Sequence, residues 1–161
     1  MTPNDVLRSL RYMLKINTAK VVEICNLGGY LVMKDEIYDY LRSEEDPAFK
    51  PCSDECVAYF LDGLIYQNRG KDETRDRPPI EVPISNNLVL KKLKVAFELR
   101  EHDMLDLMAT SSFKFGKAEL SAFLRKRDHP NYRECGDQAL RYFLKGLTIR
   151  LGNADKKDDV T

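Results

Sequence analysis

No apolar run in this 161-residue chain approaches the roughly 18 residues that a membrane helix requires, and that lack excludes a helical span. Nor does the chain open on a leader: Met1 to Leu14 carries Asp5, Arg8 and Arg11 within an amphipathic pattern, so export is not expected and the protein reads as cytoplasmic. Histidine is scarce. Only His102 and His129 are available as a base for a cysteine nucleophile, and they fall at a helix start and in a loop. The four cysteines, Cys25, Cys52, Cys56 and Cys135, belong to a compartment that keeps thiols reduced, so disulfides are not expected either. These shortages point away from an enzyme. No catalytic residue, cofactor or metal is assigned.

What the chain does have is a duplication. Shifted by 83 positions with no gap, Asn4–Gln67 lies over Asn87–Arg150, and Tyr59-Phe60-Leu61-Asp62-Gly63-Leu64 falls on Tyr142-Phe143-Leu144-Lys145-Gly146-Leu147. Unrelated segments would match at about one position in fifteen to twenty, far below what this overlay shows. The chain therefore divides into a first repeat (1–68), a charged, proline-containing linker (69–85), a second repeat (86–152) and a polar tail (153–161) expected to be disordered.

Apolar periodicity makes both repeats helical. Val6, Leu7, Leu10, Met13 and Leu14 trace one helix face, and Val89, Leu90, Leu93, Ala96 and Phe97 trace it again, with Asn4 and Asn87 as expected N-caps. A second helix runs through Val21, Ile24 and Cys25, or Met104, Leu107 and Met108; Gly28-Gly29 or Ser111-Ser112 ends it, and Tyr30 or Phe113 leads on. A third helix presents Ile37, Tyr40 and Leu41, or Leu120, Phe123 and Leu124. A fourth starts near Ser53 or Gly136 and buries Val57, Phe60, Leu61 and Leu64, or Leu140, Phe143, Leu144 and Leu147. The fold class is all-α: two tandem four-helix repeats related by a pseudo-twofold axis and packed as one helical unit. Gly63 and Gly146 lie mid-helix, where glycine costs about 1 kcal/mol relative to alanine, so the two fourth helices are expected to cross there.

The most specific repeated feature is Pro47-x-Phe49-x-x-Cys52-x-Asp54, with Pro130-x-Tyr132-x-x-Cys135-x-Asp137. With the run Pro130–Leu147 and the openings at Asn4 and Asn86, it resembles the bacterial domain-of-unknown-function family that includes YehS, over essentially the whole chain to about Gly152. The resemblance implies a small cytoplasmic two-copy protein and no particular activity, cofactor or catalytic residue. A metal role for the cysteines needs about four ligands, yet Cys52-x-x-x-Cys56 is answered only by Cys135 and Ala139. Pairs of Arg42 with Asp54, and of Arg125 with Asp137, would instead brace the third helix on the fourth.

Zero net charge, 26 basic against 26 acidic residues, hides opposite skins. Residues 1–70 hold 8 Lys or Arg against 11 Asp or Glu, a balance of −3, whereas residues 86–152 hold 13 against 8, a balance of +5. Lys91, Lys92 and Lys94, then Arg125, Lys126 and Arg127, then Arg141 and Lys145 are the candidate macromolecule-binding residues. The equivalent first-repeat loop, Ser43-Glu44-Glu45-Asp46, would repel phosphate. The expected function is a non-enzymatic binding or adaptor module engaging a protein partner or a second copy of itself. A nucleic-acid-binding regulator using the basic second repeat is the alternative. A helix-turn-helix over Thr18–Arg42 is a poor match, its connection being long and its second helix acidic.

Overall fold

In the computed structural model, which describes residues 1–110 and 116–160, eight helices and no strand are found among the described residues. The first repeat contains α1 (Pro3–Leu14), α2 (Thr18–Gly28), α3 (Lys34–Tyr40) and α4 (Asp54–Arg69); the second contains α5 (Asn86–Ala96), α6 (Glu101–Thr110), α7 (Lys117–Leu124) and α8 (Asp137–Val160). Ser111, Ser112 and Phe113, expected between the second and third helices of the second repeat, lie outside the described residues. The polar stretch from residue 153, expected as a disordered tail, is instead the end of α8 as far as Val160. It contains neither Gly nor Pro after Gly152, and an established helix propagates at the gain of one hydrogen bond per residue fixed.

The 83-residue offset persists into individual hydrogen bonds. The hydroxyls of Thr2 and Ser85 accept from the amides of Asp5 (3.1 Å) and Leu88 (3.1 Å), capping α1 and α5. Both helices close on a left-handed residue, Lys15 (φ 53°) and Glu98 (φ 52°). The caps correct the sequence expectation for Asn4 and Asn87, which are the second residues of their helices and are buried. Asn4 Nδ2 donates to the carbonyls of Tyr40 (3.0 Å) and Lys50 (2.9 Å), while its Oδ1 accepts from the Cys52 amide (2.8 Å). Asn87 does the same with Phe123 (3.0 Å), Arg133 (2.7 Å) and Cys135 (2.9 Å). Each asparagine thus ties the first helix of its repeat to the end of the third and to the loop carrying the repeated Cys-x-Asp motif.

The aspartate of that motif reaches across to the segment leading into the first helix of the other repeat. Asp54 Oδ2 accepts from the Ile84 amide (3.3 Å), just before α5, and Asp137 Oδ2 accepts from the Met1 amine (2.7 Å), just before α1. Ile84 is the 83-residue counterpart of Met1, so the two contacts form one clasp repeated by the pseudo-twofold axis. The expected pairs with Arg42 and Arg125 do not form. Arg42 binds Asp39 and Asp46, both at 3.0 Å, because carboxylates three and four residues away on a helix and its exit turn are nearer than one on the next helix. Arg125 Nη1 donates to His129 Nε2 at 3.2 Å.

The seam between repeats also differs from expectation. The fourth helices do not cross at their glycines: α4 packs on α5, and α8 packs on α1. Gly63 faces α2, where a Cβ would overlap the Ile24 carbonyl oxygen, and Gly28 faces Tyr59 in the same crossing. Gly146 stands likewise against the Leu107 carbonyl of α6. The glycines therefore close each repeat on itself, and the joint core that includes Leu7, Leu10 and Phe60 with Leu90, Leu93 and Phe143 is shared between the repeats. No helix among the described residues is long and apolar enough to cross a membrane.

Candidate macromolecule-binding groove

The side chain at position 8 or 91 projects from the first helix of its repeat toward the end of the third. In the first repeat Arg8 Nη1 donates to the Arg42 carbonyl (2.8 Å); in the second, Lys91 Nζ donates to the Arg125 carbonyl (2.8 Å). Both cations satisfy a carbonyl near a helix C-terminus, where positive charge is favoured. Their surroundings differ. Arg8 is neutralised by Asp5 (2.7 Å) and lies 3.9 Å from Glu44. The Thr2 amide and Arg8 hold the Asp5 carboxyl below its ordinary range. At the counterparts of Asp5 and Glu44 the second repeat has Leu88 and Arg127. One frame therefore carries a closed ion-pair set in one copy and an uncompensated cationic set in the other.

Lys91 and Lys92 of α5, with Lys126 and Arg127 after α7, line a cavity of about 560 Å³ together with Tyr132. Its apolar lining comes from Ile65 of α4, Leu88 and Val95 of α5, and Val82 and Pro83 of the linker; Glu81 adds one carboxylate. The Asp54 contact to Ile84 anchors the end of the linker beside it. Among the described residues neither Lys126 nor Arg127 makes an ion pair, and both are exposed.

The candidate cations thus separate into groups. Lys91, Lys126 and Arg127 converge on the groove, and Arg125 contributes its backbone carbonyl to Lys91. Lys94, Arg141 and Lys145 do not line it. Lys92 does, but it is held by Asp62 of α4 at 2.8 Å, across the seam between repeats, with the Asp62 side chain only 9% exposed. This pair is invisible to the repeat, since the counterparts of Lys92 and Asp62 are Ser9 and Lys145. Lys92→Met alone should leave a nearly buried carboxylate without its cation and cost about 2 kcal/mol, whereas the Asp62→Leu/Lys92→Met double variant should recover most of that loss. A denaturation double-mutant cycle measures the coupling, and a value near zero would show that the pair contributes nothing to the seam.

The repeated motif residues have structural positions. Pro47 and Pro130 are exposed in loops, and Phe49 and Tyr132 are half-buried after matching turns. Phe49 donates its amide to the Asp46 carbonyl (3.0 Å) as Tyr132 does to that of His129 (3.0 Å). Cys52 and Cys135 are buried, pinned through their amides. Sequence reasoning missed a thiol cluster formed by Cys25, Cys52 and Cys56. Hydrogen bonding to Cys56, and then burial, push the Cys25 and Cys52 thiols up, while the same two hydrogen bonds draw Cys56 down against the opposing effect of its burial. Cys135, lacking such neighbours, is pushed up to about 11 by burial and then by the Asp137 charge. All four cysteines are free and buried, and no cluster of three potential ligands able to hold a metal is found among the described residues.

A family model described as a protein of unknown function (DUF1456) matches residues 3–70 and again 86–151, the same two repeats. The chain is 45% identical over 150 residues to the uncharacterised protein YehS of Escherichia coli (strain K12), a match covering 93% of this chain and 96% of that protein. No solved structure matches.

Proposed function

The chain belongs to the DUF1456 family, and on that footing we propose that it is a non-enzymatic helical binding or adaptor module that engages another macromolecule through the basic groove of its second repeat. The observation that carries this reading is the replacement of Asp5 and Glu44, which close the charge set around Arg8, by Leu88 and Arg127 around Lys91. A surface that served only the fold would need no such reversal, because the carbonyl contact is made identically in both copies. A lining that combines apolar and cationic side chains suits a protein segment carrying both apolar and acidic side chains, the former excluded from water and the latter steered to the cations. A cytoplasmic setting belongs to the same reading and is supported by four free thiols.

A nucleic-acid strand is the second reading, favoured by the convergence of Lys91, Lys126 and Arg127, which would serve as phosphate contacts. Lys92, already neutralised, and Glu81 at the wall weigh against it. Affinity capture from the native cell, with wild type and with a Lys126→Glu/Arg127→Glu variant, separates the two. A partner retained after nuclease treatment and lost on charge reversal supports the protein reading. Loss on nuclease treatment with steep salt dependence supports the strand, and recovery indifferent to charge reversal overturns both.

A further inference from the structure

The first repeat carries an exposed feature that is chemically complementary to the groove of the second. Between α2 and α3 the chain is extended, so successive side chains alternate sides. Val32 turns inward and is 5% exposed, while Leu31 and Met33 turn out at 92% and 70%. The first turn of α3 follows with Lys34, Asp35 and Glu36 all exposed, so two carboxylates outnumber one cation there. The result is an apolar, acidic knob. Its counterparts in the second repeat are Lys114, Gly116, Ala118 and Glu119, so the knob occurs once per chain, as the groove does.

We propose that the occupant of the groove is the Leu31–Glu36 knob of a second copy of this chain, joined head to tail; this rests on the reading of the groove as a docking site for an apolar, acidic protein segment. Leu31 and Met33 would cover the apolar lining residues Leu88, Val95 and Pro83, and Asp35 and Glu36 would meet Lys126 and Arg127. The two charge balances, −3 over residues 1–70 and +5 over residues 86–152, favour the same polarity of approach. Because the two surfaces are different, the contact is heterologous: each added copy leaves one knob and one groove open, giving a ring if the rotation closes and an open chain otherwise. So small an anchor implies weak association that dissolves in salt.

Sedimentation equilibrium of the full chain tests it. The wild type should show a weight-average mass that rises above 18.6 kDa with concentration at low salt and falls back toward it at high salt. Leu31→Glu/Met33→Glu removes the knob and Lys126→Glu/Arg127→Glu the groove; each alone should weaken association at least about tenfold. Mixed together they should give a dimer that grows no further, because each supplies the half that the other lacks. A wild type that stays monomeric at every concentration and at low salt, or a groove variant that still associates, overturns the proposal. Circular dichroism confirms that these surface variants remain folded. Partner capture by the knob variant, whose groove is intact, keeps the two ideas apart: capture by that variant while the wild type stays monomeric leaves the docking groove standing and removes only this occupant.

Discussion

Replacing Gly63 with alanine is expected to lower stability by about 3 kcal/mol or more, although the same change in an exposed helix would raise it by about 1 kcal/mol. The reversal of sign comes from the α2–α4 crossing. The backbones approach so closely that a Cβ at residue 63 overlaps the Ile24 carbonyl oxygen, and Gly28 from the opposite helix already occupies the space beside it. Backbone cannot rotate aside as a side chain can, so the helices must separate and the core around Ile24, Cys25, Phe60 and Leu64 must loosen. For a chain of this size the loss corresponds to a melting temperature lower by about 10 °C. Gly146→Ala should behave the same way against Leu107, whereas Gly152→Ala, also in α8 but with open space around it, should be neutral or stabilising. A thermal scan of the three variants gives the answer. Equal and small shifts for all three would show that the crossings are not close-packed.

The second large effect is expected at Asn4 and Asn87. Each side chain holds two carbonyls and one amide from segments 36 to 48 residues away, and each is almost fully buried, at 3% and 4% exposure. Asn87→Leu keeps the volume and removes every partner, leaving three backbone groups short of a hydrogen bond at about 1 kcal/mol or more apiece. The expected cost is about 3 to 4 kcal/mol, large against the 5 to 15 kcal/mol typical of a domain. Asn87→Asp is more diagnostic. It preserves the acceptor for the Cys135 amide but turns a carboxylate oxygen toward the carbonyls of Phe123 and Arg133. Its folded-state pKa should be raised, so the variant should be most impaired at neutral pH and regain stability as pH falls, when the protonated acid can donate one bond. Urea unfolding at neutral and acid pH measures this, and a pH-independent loss would contradict the assigned roles of Nδ2 and Oδ1.

These two sites show how much was legible in the chain. The duplication, the helical class and the apolar faces follow from residue type and spacing, because periodicity and burial are local consequences of which side chains water excludes. Gly63, Gly146, Asn4 and Asn87 are equally conspicuous as repeated residues, yet their spacing points each to the wrong partner. A repeat reveals that two positions share a constraint; it contains nothing about which distant segment imposes it. Asn4 looked like a cap because it precedes an amphipathic run, but Pro3 already lies in the helix and Thr2 caps it. The charge asymmetry was visible as a sum. Its concentration into a groove was not, since Lys94, Arg141 and Lys145 belong to the same sum and face elsewhere.

By itself, then, the sequence determined two copies of one four-helix unit, their apolar cores and an opposite charge on each copy. Tertiary structure alone decided that α4 packs on α5 and α8 on α1, that Asp54 and Asp137 clasp the opposite repeat, and that Lys91, Lys126 and Arg127 share a groove while Lys92 is neutralised by Asp62. The division has a physical cause. Secondary structure and burial answer to forces that act over a few residues or on each side chain singly, whereas hydrogen bonds and ion pairs across the seam depend on a relative placement of helices that only the closed chain defines.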